Sequence, residues 1–89
     1  MSNAITSASA SVKVILPMDE ELYQQFMIVP GLEGYVQVIQ VLAAESSIPV
    51  SRLAKEFLKE YRTAVSYNDK YPTYKAYNSL LDYIRREGS

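Results

Sequence analysis

The stretch LAAESSIPVSRLAKEFLKEY, residues 42–61, decides the fold of this chain. An apolar segment ends in a polar turn at residues 46–49, and apolar residues then recur with the period of an amphipathic helix. Basic residues form a narrow stripe beside the apolar face, and Glu56 and Glu60 lie beyond that stripe. This separation predicts a helix over about residues 50–65. Its predicted buried face comprises Val50, Leu53, Ala54, Phe57, Leu58, Tyr61, Ala64 and Val65.

Residues 32–46 are predicted to form the helix before the turn. Val36, Ile39, Leu42 and Ala43 follow a helical repeat. Because valines also lie on other sides, we expect this helix to be central and buried. A strand over residues 35–41 is the competing prediction, since valine and isoleucine favour strands.

Two more helices are predicted at the ends of the chain. The first begins near Pro17, ends near Val29 before Pro30-Gly31, and buries Leu22, Tyr23 and Phe26. The last follows a loop at residues 66–72, with Thr73 as a candidate N-cap and Gly88 at its end. Its predicted buried face comprises Tyr77, Leu80, Leu81 and Ile84. The predicted fold class is therefore all-α, a small bundle of four helices.

The N-terminus has a different composition. Residues 1–11 are mostly serine and alanine, and we predict a disordered tail there, with a single helical domain over residues 12–89. Residues 11–16 alternate and are β-branched, so they predict a short strand or an extended segment.

Composition limits the functions that this chain can have. It has 89 residues, no cysteine and no histidine, so disulfides and thiolate or imidazole metal sites are excluded. Asp19, Glu20 and Glu21 are adjacent and fit a helix N-terminus better than a catalytic cleft. We predict no enzyme activity, no cofactor and no metal site. The longest nearly apolar run, residues 35–44, is too short to span a membrane, and we predict a cytoplasmic protein.

Charge is unevenly distributed along the chain. Residues 1–51 contain one cation and five anions, whereas residues 52–89 contain eight cations and five anions. The basic stripe, which comprises Arg52, Lys55, Lys59 and Arg62, is a candidate phosphate-binding surface, and Arg85 and Arg86 are candidates for a second one. The alternative is an ordinary solvated face, in which Glu56 pairs with Arg52 and Lys59.

Tyrosine is abundant, with eight in the chain, of which six lie between Tyr61 and Tyr83. Tyr61 and Tyr77 fit the predicted core. Tyr67, Tyr71 and Tyr74 lie around a loop and a helix start, where we predict an exposed aromatic patch for a protein partner or a second copy of the chain.

The segments LAAESSIPVSRLAKEF, residues 42–57, and NSLLDYIRREG, residues 78–88, resemble parts of helix-turn-helix and winged-helix domains. The resemblance implies a helix-turn-helix-like arrangement and a DNA-binding regulator. Two features depart from it: the helix after the turn is longer than usual for the class, and the sequence ends at Ser89 before any wing.

A second resemblance ranks lower. VKVILPMDEEL, residues 12–22, is similar to the opening of ribbon-helix-helix repressors, and LAAESSIPVSRLAKEFL, residues 42–58, to their turn and second helix. It implies an intersubunit ribbon from Val12, Val14 and Leu16, or from Lys13 and Ile15. However, residues 17–51 are about one helix too long for a single unit. The preferred function from sequence is thus DNA binding, the alternative is a tyrosine-based protein-interaction module around residues 67–77, and a homodimer is compatible with either.

Overall fold

The computed structural model describes residues 14–88, which contain four helices and no strand. They are α1 (Glu20–Met27), α2 (Gly34–Ser46), α3 (Val50–Ser66) and α4 (Pro72–Gly88). The predicted all-α class with four helices is confirmed, and the alternative strand over residues 35–41 is wrong. The predicted tail at residues 1–11, and Val12 and Lys13 of the predicted ribbon, lie outside the described residues.

Local chemistry explains where the first three helices begin and end. Asp19 caps α1, because its Oδ2 accepts a hydrogen bond from the Glu21 N–H at 3.2 Å. Gly31 adopts a φ of 91° in the turn before α2, a value that glycine tolerates best. Ser47 and Asn68 adopt left-handed φ values of 63° and 58° after α2 and α3. These residues reverse the chain at the helix C-termini.

α3 begins at Val50 as predicted, whereas α1, α2 and α4 begin a few residues away from their predicted starts. Pro49 is the N-cap of α3, and Ser51 lies inside the first turn of the helix. Pro72 is the first residue of α4, where its missing N–H carries no penalty. The predicted N-cap role of Thr73 is therefore wrong.

A chain of aromatic contacts connects all four helices. The ring of Phe57 on α3 stacks on Phe26 of α1, with centroids 5.7 Å apart, and lies 4.9 Å from the ring of Tyr35 on α2. Tyr35 in turn lies 6.0 Å from the ring of Tyr77 on α4. Fully buried aliphatic residues surround this chain: Leu32, Ile39, Leu53, Ala54, Ala76 and Leu80. The core thus lies where the faces of the four helices meet.

α3 and α4 form a helical hairpin and share the largest helix–helix interface. Small side chains, Ala64 and Ala76, are buried near the connection and allow the two helices to approach closely. The Asp69 N–H donates to the Ala64 carbonyl at 3.0 Å, which fixes the start of the loop. The packing of α3 against α4 therefore fixes the position of the loop and of the first turn of α4.

Several residues predicted to be buried are exposed. Tyr23 and Val65 are 36% and 46% exposed, because each lies at the edge of its apolar face and α1, with eight residues, covers only part of α3. Val41 is 36% exposed, so α2 is not buried on all sides as predicted. Ala76, by contrast, is fully buried although it was not included in the predicted core.

The segment before α1 is neither helix nor strand over residues 14–19. Val14, Ile15 and Leu16 are all at least half exposed. The Leu16 carbonyl accepts a hydrogen bond from Gln40 Nε2 at 2.9 Å, which holds the segment against α2. Of the two predictions for this segment, the strand is therefore wrong for residues 14–16, and the extended segment without strand pairing stays in agreement with the structure.

Candidate partner-binding surfaces

The three tyrosines predicted to be exposed are on the surface. Tyr67 is 77% exposed, Tyr71 is 64% exposed and Tyr74 is 65% exposed. Tyr61 and Tyr77, assigned to the core from sequence, are partly buried and pack against it. The predicted division of the tyrosines between core and surface is therefore confirmed for these five residues, while their roles in binding stay a prediction.

Tyr71 and Tyr74 lie together at the start of α4, where they line an open cleft of about 460 Å³. Lys70 and Lys75 also line this cleft, and the Lys70 ammonium lies 5.8 Å from the centre of the Tyr71 ring. That distance is within the range of a cation–π contact. We call this site the tyrosine cleft; its remaining lining residues are Asp69, Asn78, Ser79 and Asp82.

Tyr67 belongs to a different part of the surface. It follows the last turn of α3 and lines a second depression with Glu60 and Thr63. Asp69 and Lys75, whose carboxylate oxygen and ammonium nitrogen lie 3.9 Å apart, border both depressions. The structure thus brings two of the three candidate tyrosines into one site and places the third beside it.

The basic stripe is exposed along α3, but part of it is engaged by neighbouring groups. The Lys59 ammonium lies 3.6 Å from Glu56 Oε1 and 3.9 Å from Glu60 Oε2. The Arg62 guanidinium donates to the side-chain oxygen of Gln25 on α1. These contacts reduce the positive charge that Lys59 offers and fix the direction of Arg62.

Arg52 and Lys55 are the less engaged half of the stripe. Both are exposed, and neither forms an ion pair with any residue in the range 14–88. The predicted pair between Arg52 and Glu56 is absent there. Lys55, however, shares a small depression with Asp19 and Glu21, the acidic start of α1, which lowers the local positive potential.

Arg85 and Arg86 lie in the last turn of α4. Both are exposed, and Arg85 Nη1 lies 3.0 Å from Asp82 Oδ1. The helix dipole stabilises cations at a helix C-terminus. This stabilisation accounts for the positions of Arg85 and Arg86 without a bound nucleic acid.

Lys70, Lys75 and Asn78 were missed as candidates from sequence. The signal was available, since Tyr74 and Asn78 are four residues apart and lie on one face of a helix, with Lys75 beside them. Lys70 precedes α4, so helical spacing does not predict its position near the Tyr71 ring.

The described residues offer few groups for chemistry. Among residues 14–88 no polar or charged side chain is buried, and no three acidic side chains come close enough to hold a metal ion. None of the helices within that range is long and apolar enough to cross a membrane.

No protein-family model matches the chain, and no curated protein or solved structure is significantly similar to it.

Proposed function

We propose that this protein is a non-enzymatic binding module that recognises another protein through the tyrosine cleft. The observation that supports this is the exposure of Tyr71 and Tyr74, two large rings that line one open cleft at the start of a long helix. Tyrosine gives a large contact area and loses little side-chain entropy on binding, so it is enriched at the energetic centres of protein interfaces.

The surroundings of the cleft favour a protein over a nucleic acid. Its two lysines are balanced by two aspartates, of which Asp69 pairs with Lys75 and Asp82 with Arg85. The phosphates of a bound nucleic acid would lie close to these two carboxylates and would be repelled by them. A bound peptide, by contrast, would pack an apolar side chain against the rings of Tyr71 and Tyr74. A carboxylate of the same peptide would pair with the Lys70 ammonium.

DNA binding is the second candidate, and it is supported by Arg52 and Lys55. Both belong to the helix that follows the turn in the segment resembling helix-turn-helix domains, and both are exposed without an ion pair among the described residues. It ranks second because Lys59 is paired with two glutamates and Lys55 lies beside the acidic start of α1.

The test is capture of partners on the immobilised full chain, with and without nuclease and at both low and high salt. We expect a bound protein that survives nuclease and high salt, because an aromatic interface depends little on salt. A Tyr71→Ala, Tyr74→Ala double variant should lose it. The matched control is Tyr23→Ala, which removes an exposed tyrosine from α1.

Two results would contradict the proposal. One is a captured protein that the double variant retains as well as the wild type does. The other is a partner that is lost on nuclease treatment, which would favour the DNA candidate.

A further inference from the structure

The lining of the tyrosine cleft differs from that of an ordinary apolar groove. The eight described residues that line it are aspartate, lysine, tyrosine, asparagine or serine, and none of them is aliphatic. Its apolar surface is therefore mainly aromatic and comes from the rings of Tyr71 and Tyr74, which are both exposed. An amphipathic partner helix binds with its apolar face in a hydrophobic groove, and this cleft offers no aliphatic wall for such a face.

The backbone at the cleft offers no edge to a partner strand. It is helical from Pro72 onward, and just before α4 the Tyr71 carbonyl already accepts a hydrogen bond from the Lys75 N–H at 3.0 Å. The Asp69 N–H is also engaged, since it donates to the Ala64 carbonyl. Strand addition needs a row of unpaired backbone groups along an extended edge. A partner in the cleft is therefore recognised by side chains.

The two carboxylates of the cleft already lie beside cations of the same chain. Asp69 Oδ2 is 3.9 Å from the Lys75 ammonium, and Asp82 Oδ1 is 3.0 Å from Arg85 Nη1. The N–H groups of a partner would compete with these cations for the carboxylate oxygens. The cleft is thus poorly suited to a partner that brings many hydrogen-bond donors.

The remaining polar side chains of the cleft all carry hydrogen-bond donors. Within residues 14–88 the hydroxyls of Tyr71 and Tyr74 and the side-chain amide of Asn78 have no hydrogen-bond partner. Each can donate to a carbonyl oxygen, and so can the Lys70 ammonium beside the Tyr71 ring. A partner that complements this set presents carbonyl oxygens on its outside and few N–H groups.

We propose that the tyrosine cleft binds a proline-rich segment in the polyproline II conformation, which rests on the proposed function and names the chemistry of its partner. Pyrrolidine rings are apolar and pack on aromatic rings, and aromatic-lined grooves recognise proline-rich peptides in this way. Polyproline II has no internal hydrogen bonds, so its carbonyl oxygens are available to the Tyr74 hydroxyl and the Asn78 amide. Proline has no N–H that would need an acceptor in the cleft.

The size of the cleft favours the same partner. It has a volume of about 460 Å³ and lies at one end of α4, so the contact that it offers is small. A flexible peptide loses conformational entropy when it is ordered on such a surface. A proline-rich segment is extended before it binds and loses less.

NMR titration of the full chain with a capped octaproline peptide tests the proposal. We expect amide shifts grouped at residues 69–82 that saturate with a Kd below about 1 mM. The control is a capped peptide of the same length made of alanine and serine, which has the carbonyl groups without the pyrrolidine rings and should bind about ten-fold more weakly or not at all. Equal binding of the two peptides, shifts elsewhere on the chain or no saturation by octaproline would overturn the proposal.

Substitutions in the cleft test the rings and the donors separately. Tyr74→Ala should weaken octaproline binding about ten-fold or more, because it removes a ring from the contact. Asn78→Asp keeps the size of the side chain but replaces the donor with a carboxylate oxygen, and it should weaken binding about ten-fold. The control is Tyr67→Ala, which removes a tyrosine that is 77% exposed but lines the neighbouring depression, and binding should not change. The amide spectrum of each variant shows whether it is folded. Equal effects of Tyr74→Ala and Tyr67→Ala, or wild-type binding by Asn78→Asp, would contradict the proposed contact.

Competition separates the class of partner from the proposed function. Octaproline should displace a captured protein that depends on Tyr71 and Tyr74, whereas the alanine–serine peptide should not. A captured protein that depends on both tyrosines but is not displaced by octaproline would overturn the proline-rich partner and leave the protein-binding cleft intact.

Discussion

The rings of Tyr35 and Phe57 lie 4.9 Å apart between α2 and α3, and Tyr35 also lies 6.0 Å from Tyr77 of α4. One side chain thus joins three helices of a small core. Tyr35→Ala should lower the free energy of unfolding by about 2–4 kcal/mol, because it leaves a cavity and removes two ring contacts. Tyr35→Phe keeps the ring and should cost less than about 1 kcal/mol. Urea denaturation of both variants measures the difference, and similar losses would mean that the hydroxyl, not the ring, is important.

Leu80 and Leu81 are adjacent on α4 but differ in burial. Leu80 is fully buried and Leu81 is only partly buried. Leu80→Ala should therefore lower the free energy of unfolding by about 2–5 kcal/mol, the range for buried leucines. Leu81→Ala should lower it clearly less. Chemical denaturation monitored by circular dichroism provides both values. If Leu81→Ala proved the more costly, the orientation of α4 in the bundle would be wrong. Leu53→Ala on α3 should behave like Leu80→Ala, since Leu53 is also fully buried.

Ser47 ends α2 in a left-handed conformation with a φ of 63°. Ser47→Gly should stabilise the protein by about 0.5–1 kcal/mol, because glycine adopts this conformation without the strain that a Cβ causes. Gln37→Gly, at an exposed position inside the same helix, should destabilise by about the same amount. Thermal melting would show opposite shifts. A destabilised Ser47→Gly variant would mean that Ser47 is not left-handed in solution.

Most of the fold was predictable because hydrophobic periodicity is a local property. The pattern around Leu53 and Phe57 defined α3, and the one around Leu80 defined α4. Exposure at the edges was not predictable, since whether Val65 is covered depends on how far the short α1 reaches along α3. Ala76 was missed because its burial depends on the close approach of α3 and α4 and not on its own hydrophobicity.

The candidate surfaces were predictable only in part. Exposed tyrosines near a proline and a loop could be identified from sequence, but their separation into the tyrosine cleft and the site of Tyr67 required the geometry of the hairpin. The engagement of Arg62 by Gln25 joins residues far apart in sequence, so no local pattern could show it. Glu56 was a predicted partner of Lys59, and the structure confirms that pair.

Tyr71 and Tyr74 should be nearly dispensable for folding. Each is about two-thirds exposed, so Tyr71→Ala and Tyr74→Ala should change the melting temperature little, whereas each should weaken partner binding by about 1–4 kcal/mol if it is a hot spot. Differential scanning calorimetry and titration of the captured partner give the two quantities. Large losses of melting temperature with unchanged binding would assign these rings to the core and remove the main support for a protein-binding site.

The basic stripe decides whether DNA is a ligand, and its two halves should behave differently. Arg52 and Lys55 have no ion pair among the described residues, whereas Lys59 already lies near two carboxylates. If the stripe binds duplex DNA, Arg52→Ala and Lys55→Ala should each reduce the slope of log affinity against log salt by about one. Lys59→Ala should change that slope less, since its charge is partly neutralised before binding. Fluorescence anisotropy at several salt concentrations measures these slopes. No binding by the wild type at low salt, or equal slopes for all three variants and the wild type, would identify the stripe as a solvated face.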